Sequence, residues 1–273
     1  QIECEVIAKI NNSDQILKNI AEITEHKDVN GNTVDRDSEP GNVTTDPDKY
    51  NPQKPTEGIG EQDDDDFEDL ILPGKYFDLA LRKFITNVTN SDGTSSTVID
   101  SREPVVDTTP LIDGTSTTAI YNHSKEPIGV SNGDIVTYTI RVYNEGTLDG
   151  YVTEITDHLP SQLEFIVDDE INAQYGWTVS SDGRTVKTDI TSPTTSSSAN
   201  RDTIYADRDT GDDTDKVLLK AFEGTEDSEI DYIDVQIRCR VKDNIDLYEK
   251  ITNIADITEF TDSEGEKITD RDS

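Results

Sequence analysis

The chain has no methionine, one tryptophan and only two cysteines in 273 residues. Two cysteines cannot build the disulfide framework of a small secreted scaffold. Basic residues are scarce: 24 Lys and Arg stand against 59 Asp and Glu, a formal net charge of −35. A surface this anionic repels phosphate backbones, which excludes a nucleic-acid or anionic-membrane partner and predicts affinity for cations. No apolar run is long enough to span a bilayer, so no membrane insertion is expected in this segment. Hydrophobic content is 32%. What is present, Thr, Ser, Asp, Ile and Val in short alternating runs, points to an all-β surface or secreted protein and away from a helical enzyme.

The sequence repeats itself once. Gln1-Ile2-Glu3-Cys4-Glu5-Val6 returns as Gln236-Ile237-Arg238-Cys239-Arg240-Val241, Asn19-Ile20-Ala21-Glu22 as Asn253-Ile254-Ala255-Asp256, and Asp35-Arg36-Asp37-Ser38 as Asp270-Arg271-Asp272-Ser273. The offsets are 235, 234 and 235 residues, a period of a whole domain rather than of a solenoid unit. The expected organisation is therefore the last strands of a preceding module over 1–38, a linker over 39–74 and a complete module over 75–273, a window on a longer tandem array. Asn30-Gly31 marks a hairpin turn in the first part.

Regular patterning vanishes between Glu39 and Leu72. Pro40-Gly41, Asp46-Pro47, Asn51-Pro52 and Lys54-Pro55 mark turns, and Asp63, Asp64, Asp65 and Asp66 form the centre of a dense acidic run. Together with Asp35, Asp37, Ser38, Asn42, Asp46 and Asp48 they supply the oxygen ligands that a hard cation requires, so Ca²⁺ is expected here. The rival reading is a solvated tether.

Within the full module, Phe77, Leu79, Leu81, Lys83 and Ile85 share one face of a strand, which sends Lys83 into an apolar core. A buried ammonium must be neutral, paired or consumed by chemistry. Further strands are expected at Val136–Val142, Tyr151–Asp157, Trp177–Val179, Thr185–Ile190, Val217–Phe222, Ile233–Val241 and Ile251–Ile257, with Leu159–Phe165 leading out of the second of these. About eight or nine short strands with no convincing helix predict an immunoglobulin-like β-sandwich. Asn253 shares an apolar face with Ile251, Ala255 and Ile257. Asp157 shares one with Ile155, and Asp134 and Glu154 are the other acids in contention.

The succession Asp78-Leu79-Ala80-Leu81-Arg82-Lys83, Gly133-Asp134-Ile135-Val136-Thr137-Tyr138-Thr139-Ile140, Val142-Tyr143-Asn144-Glu145-Gly146, Thr156-Asp157-His158-Leu159-Pro160, Leu163-Glu164-Phe165 and Thr252-Asn253-Ile254-Ala255 resembles the repeated surface domains of bacterial cell-wall proteins, relatives of the isopeptide-forming domains of fimbrial proteins and adhesins. The likeness covers residues 75 to 273. It implies a spontaneous amide bond between a first-strand lysine, Lys83, and a last-strand asparagine, Asn253, with a buried acid, Asp157, as catalyst. It also implies an extracellular, cell-surface location and neighbouring copies of the module as partners. By the same logic Asn19 is the acceptor of the preceding module.

Those residue types suit that chemistry. Burial lowers a lysine pKa towards a neutral, nucleophilic amine and raises a carboxyl pKa so that the acid can polarise a carboxamide. The competing expectation is a plain buried Lys83–Asp157 ion pair. The three histidines lack zinc spacing, and no nucleophile–base pair stands out, so a hydrolase is not expected. Cys239 reads as a small buried residue, and Trp177 as core rather than a sugar platform. A structural stalk module is the leading expectation. An adhesin or carbohydrate-binding module, using loops 90–125 and 192–230, is the alternative.

Overall fold

The structure is a computed structural model that describes residues 3, 15–32, 65–72, 74–212, 215–243 and 250–271. The chain divides into two compact units, Gln1–Lys75 and Tyr76–Ser273. It is built mainly of antiparallel strands with few helices.

In the first unit β1 (Gln15–Glu22) pairs antiparallel with β2 (Asp65–Leu72), in register from Gln15 opposite Leu72 to Glu22 opposite Asp65. The end of the acidic stretch is thus strand, where the sequence pattern indicated none. Phe67, Leu70, Ile71 and Leu72 supply the β-forming content, and Lys18 offsets part of the charge by reaching Asp69 at 3.2 Å and lying 3.8 Å over the Phe67 ring. The expected turn is present: Gly31 takes φ of 85°, and Asp28 accepts from the N–H groups of Asn30 and Asn32 at 2.8 and 2.9 Å.

The second unit is two sheets around one core. The larger comprises β3 (Leu79–Thr89), β4 (Ser96–Val98), β7 (Ile135–Asn144), β9 (Leu163–Phe165) and β12 (Tyr232–Val241), in the order β4-β3-β7-β12-β9. The smaller comprises β8 (Gly150–His158), β10 (Thr178–Val179), β11 (Thr185–Thr188) and β13 (Ile254–Asp262), in the order β10-β11-β8-β13. A separate hairpin joins β5 (Val105–Asp107) to β6 (Ile120–Asn122). Strand alternation selects the core: on β12, Ile233, Val235, Ile237, Cys239 and Val241 are all buried, and they meet Val152 and Ile155 of β8 and Val186 of β11.

β7 departs from simple alternation because both of its faces are covered. On the outer face Ala80, Tyr143, Phe222 and Ile230 gather with Ala119, Val106, Leu111 and Tyr121 in a second apolar cluster. The segment between β4 and β7, expected as long loops with short strands, carries the short strands β5 and β6 and folds back over the sheet. Its anchor is Glu145, only 4% exposed, which accepts hydrogen bonds from Thr118 Oγ1 at 2.9 Å, Ala119 N at 2.6 Å and Tyr121 Oη at 2.9 Å. Arg82 stacks 3.9 Å over Tyr121.

Among the described residues three short α-helices are present where no helix was expected: α1 (Thr109–Ile112), α2 (Glu170–Gln174) and α3 (Ser198–Ile204). Each is too brief for an apolar period to register; α2 is set by its cap, with Asp169 accepting from the N–H groups of Ile171 and Asn172. Val217–Phe222 is not a regular strand but touches β8 through one bridge, Gly150 to Leu219. Side chains hold it instead. Arg208 makes a bidentate pair with Asp231, whose Oδ2 also accepts from Lys220 N, and Asp149 accepts from Ala221 N. The polar excursion before it is pinned by Tyr205, which is buried in the core and donates to Asp234 O at 2.9 Å.

Candidate functional site

The face periodicity of β3 carries Lys83 inward, and that of β8 carries Asp157 to meet it from the opposite sheet. The Lys83 side chain is 8% exposed and that of Asp157 0%, and Lys83 Nζ donates to Asp157 Oδ2 in a short contact. Two sheets thus close on one ion pair inside an apolar core. Tyr138, on β7 next to β3, places its ring 4.9 Å from Lys83 Nζ. Cys239 packs close enough for its thiol to act on both charges.

Asn253 immediately precedes β13, which pairs with β8 so that Ala255 stands opposite Asp157. Its carboxamide oxygen and nitrogen are both buried, and neither has a hydrogen-bond partner; the second oxygen of Asp157, Oδ1, is buried and unpartnered as well. The carboxamide is nonetheless near enough to favour the Asp157 carboxylate. It is a close neighbour of Asp157 with no formed hydrogen bond. An unsatisfied buried carboxamide beside an unsatisfied carboxyl oxygen is expensive, on the order of 1–3 kcal/mol per group, and calls for an explanation.

Burial is the first cause of titration in both partners. It lowers the Lys83 pKa from its ordinary value, opposed by the Asp157 charge and hydrogen bond. It raises the Asp157 pKa, opposed by the Lys83 charge and hydrogen bond. Both shifts favour the neutral pair, an amine beside a carboxylic acid, which is one internal proton transfer away from the ion pair. Burial also pushes the Cys239 thiol up, so it stays protonated, as a small buried residue should. On one side the site opens on a cavity of about 1120 Å³ whose walls include Lys83, Ile85, Tyr138, Val241, Ile251 and Asn253.

The other acids in contention lie elsewhere. Asp134 accepts from Ser131 N at 2.7 Å in a turn, and Glu154 is engaged by Lys187 and by Thr258 at the sheet surface. His158 is exposed and pairs with Asp256 at 2.5 Å. Trp177 is core, its Nε1 donating to Gln236 O at 2.7 Å. Asn19, equivalent to Asn253 by the repeat, lies on β1 opposite Glu68. Sequence reasoning missed Tyr138 and Cys239 as neighbours of Lys83, although both alternate onto the inner face of their strands, and it missed Glu145.

The proposed calcium ligands Asp35, Asp37, Ser38, Asn42, Asp46, Asp48, Asp63 and Asp64 lie outside the described residues, and so does Cys4. Asp65 and Asp66 stand on β2 opposite Glu22 and Ala21, and Asp66 Oδ1 accepts from Phe67 N at 2.9 Å. Among the described residues no group of three or more His, Cys, Asp or Glu is placed to hold a metal.

The site is therefore a buried lysine–carboxyl–carboxamide constellation drawn from β3, β8 and the residue just before β13 of an all-β unit. Comparison with family models, curated proteins and solved structures finds no match for this chain.

Proposed function

We propose that the chain is a length of structural stalk or fibre from a bacterial extracellular surface protein, in which immunoglobulin-like β-sandwich modules follow one another in tandem. Each module is locked by an intramolecular isopeptide bond, here between Lys83 and Asn253, and Ca²⁺ stiffens the junctions. The observation that carries this reading is the unpartnered carboxamide of Asn253 beside the buried Lys83–Asp157 pair.

In the neutral form of the pair, Lys83 Nζ carries a lone pair and Asp157 a proton. Asp157 donates that proton to the Asn253 carboxamide and polarises it, and Nζ attacks Cγ. The Nζ–Cγ bond forms, the Cγ–Nδ2 bond breaks, and Nδ2 leaves as ammonia with a proton relayed from the amine through Asp157. The cavity gives the ammonia a way out. Nothing is oxidised or reduced, and each site reacts once, so the protein is not a turnover enzyme. Fixed proximity in a packed core takes the place of an activated ester.

The anchored segments on the outer face suit a load-bearing part better than an adaptable binding surface. The calcium proposal is compositional, resting on the oxygen ligands between Asp35 and Asp66. Intact-mass measurement tests the central point: the purified chain should weigh one ammonia less than its sequence, and Lys83→Ala should restore the full mass. A wild-type mass equal to the plain sequence would remove the isopeptide.

A further inference from the structure

We propose that the segments by which the chain enters and leaves the second unit are paired as a shear latch that bears tension before the Lys83–Asn253 clamp does. Its purpose rests on the stalk reading; its geometry does not. Phe77 and Asp270 form a parallel bridge. Leu79 N–H donates to Asp270 Oδ1 at 2.9 Å, Arg271 N–H donates to Phe77 O at 3.0 Å, and the Arg271 guanidinium lies 4.0 Å over the Tyr76 ring.

The entry is also held from its other side. Tyr76 O accepts from Thr147 N and Leu148 N at 2.8 and 3.1 Å, and Asp78 O accepts from Glu145 N at 2.7 Å. The Phe77 ring, 1% exposed, stands 5.9 Å from Phe260 of β13, and a Cβ on Gly150 would lie 2.6 Å from it. Phe77 is therefore a knob on the entering segment seated against Phe260 of β13 and Gly150 of β8, and it resists sliding.

Direction decides how this patch is loaded. Parallel neighbours run the same way, so opposite pulls on the entering and leaving ends slide them along a common axis. The bonds between them lie across that axis and must fail together, whereas antiparallel termini would open one bond at a time. The backbone bond to a carboxylate and the guanidinium–ring stack are each stronger than a neutral surface contact.

The clamp sets how much chain the latch guards. Lys83 lies six positions after Phe77 and Asp270 seventeen after Asn253, 23 chain steps in all. Those residues release roughly 80 Å at full extension. Everything between Lys83 and Asn253 stays shielded, so β7, β8 and β12 keep their places while β13 and the start of β3 are drawn off, and the latch can close again.

Single-molecule force spectroscopy on the full chain, held by peptide tags at its ends, tests this. The wild type should show a short release of about 23 residues from this unit, with no further lengthening of it. Asp270→Ala combined with Arg271→Pro removes both cross bonds and should lower the force of that event at least two-fold, with its length unchanged. Arg271→Ala, which removes only the ring stack, should lower it by less and keeps the test valid if the proline disturbs folding. An unchanged rupture force in both variants overturns the latch. Asn253→Ala separates the two ideas: it should leave the force of the event as it was and extend the release to the whole unit. A wild type that already releases the whole unit would remove the clamp, while the latch would still be judged by force.

Discussion

Asn253→Ala is the perturbation that divides the cross-link from a plain ion pair, because it spares Lys83 and Asp157. The bond would close a loop of 170 residues between Lys83 and Asn253. By analogy with disulfide loop entropy, that closure stabilises the fold by roughly 5 kcal/mol. For a unit of this size each kcal/mol moves the melting temperature by about 2–4 °C, so the variant should melt roughly 10–20 °C lower. If Lys83 and Asp157 were only an ion pair, the same variant would remove a buried carboxamide that has no hydrogen-bond partner, and stability should stay nearly unchanged or rise slightly. Lys83→Ala would then be the damaging change, at about 3–5 kcal/mol, because it orphans a buried carboxyl. The ranking of the two variants in calorimetry, read with intact mass, is the assay. An Asn253→Ala chain that melts within about 5 °C of the wild type, while Lys83→Ala melts far lower, would refute the cross-link.

Three further outcomes follow from the geometry. Lys83→Met leaves Asp157 alone in the core with a pKa raised by burial above 3.8. The folded state then keeps a proton that the unfolded chain releases, so stability is greatest below the unfolded pKa and falls as pH rises through the raised folded value. The variant should melt higher at mildly acidic than at neutral pH, adding Asp157→Asn should remove the slope, and an equal slope in both chains would contradict the assignment. Glu145→Ala removes the acceptor shared by Thr118, Ala119 and Tyr121 and should destabilise the unit by about 3 kcal/mol or more. Hydrogen exchange should speed up first at Ala119 and its neighbours, and unchanged protection there would show that Glu145 is not the anchor. Chelating Ca²⁺ should lower the melting temperature of the full chain, and a transition indifferent to chelator would return the acidic stretch to a plain tether.

The burial of Lys83 was legible before any coordinates because a strand has a period of two: four apolar partners at alternate positions fix which way the fifth side chain points. The same rule found Asp157, Asn253 and the inner face of β12. It could not find Glu145 as an anchor, since the groups that occupy it arrive from a segment 24 to 27 residues away whose own sequence reads as long loops with short strands. Short helices escaped for a related reason, being fixed by caps such as Asp169 and not by any apolar period. Val217–Phe222 looked like a strand because it is apolar, yet Arg208, Asp231 and Asp149 meet most of its needs.

By itself the sequence determined the all-β class, the repeat and the inward direction of Lys83, because alternation and self-similarity are local properties of a chain. Tertiary structure alone decided that Asp157 meets Lys83, that Asn253 is left unpartnered beside them, and that Asp270 runs parallel to Phe77. Those are relations between strands far apart in sequence, and pairing register and sheet order, which no single strand encodes, set them.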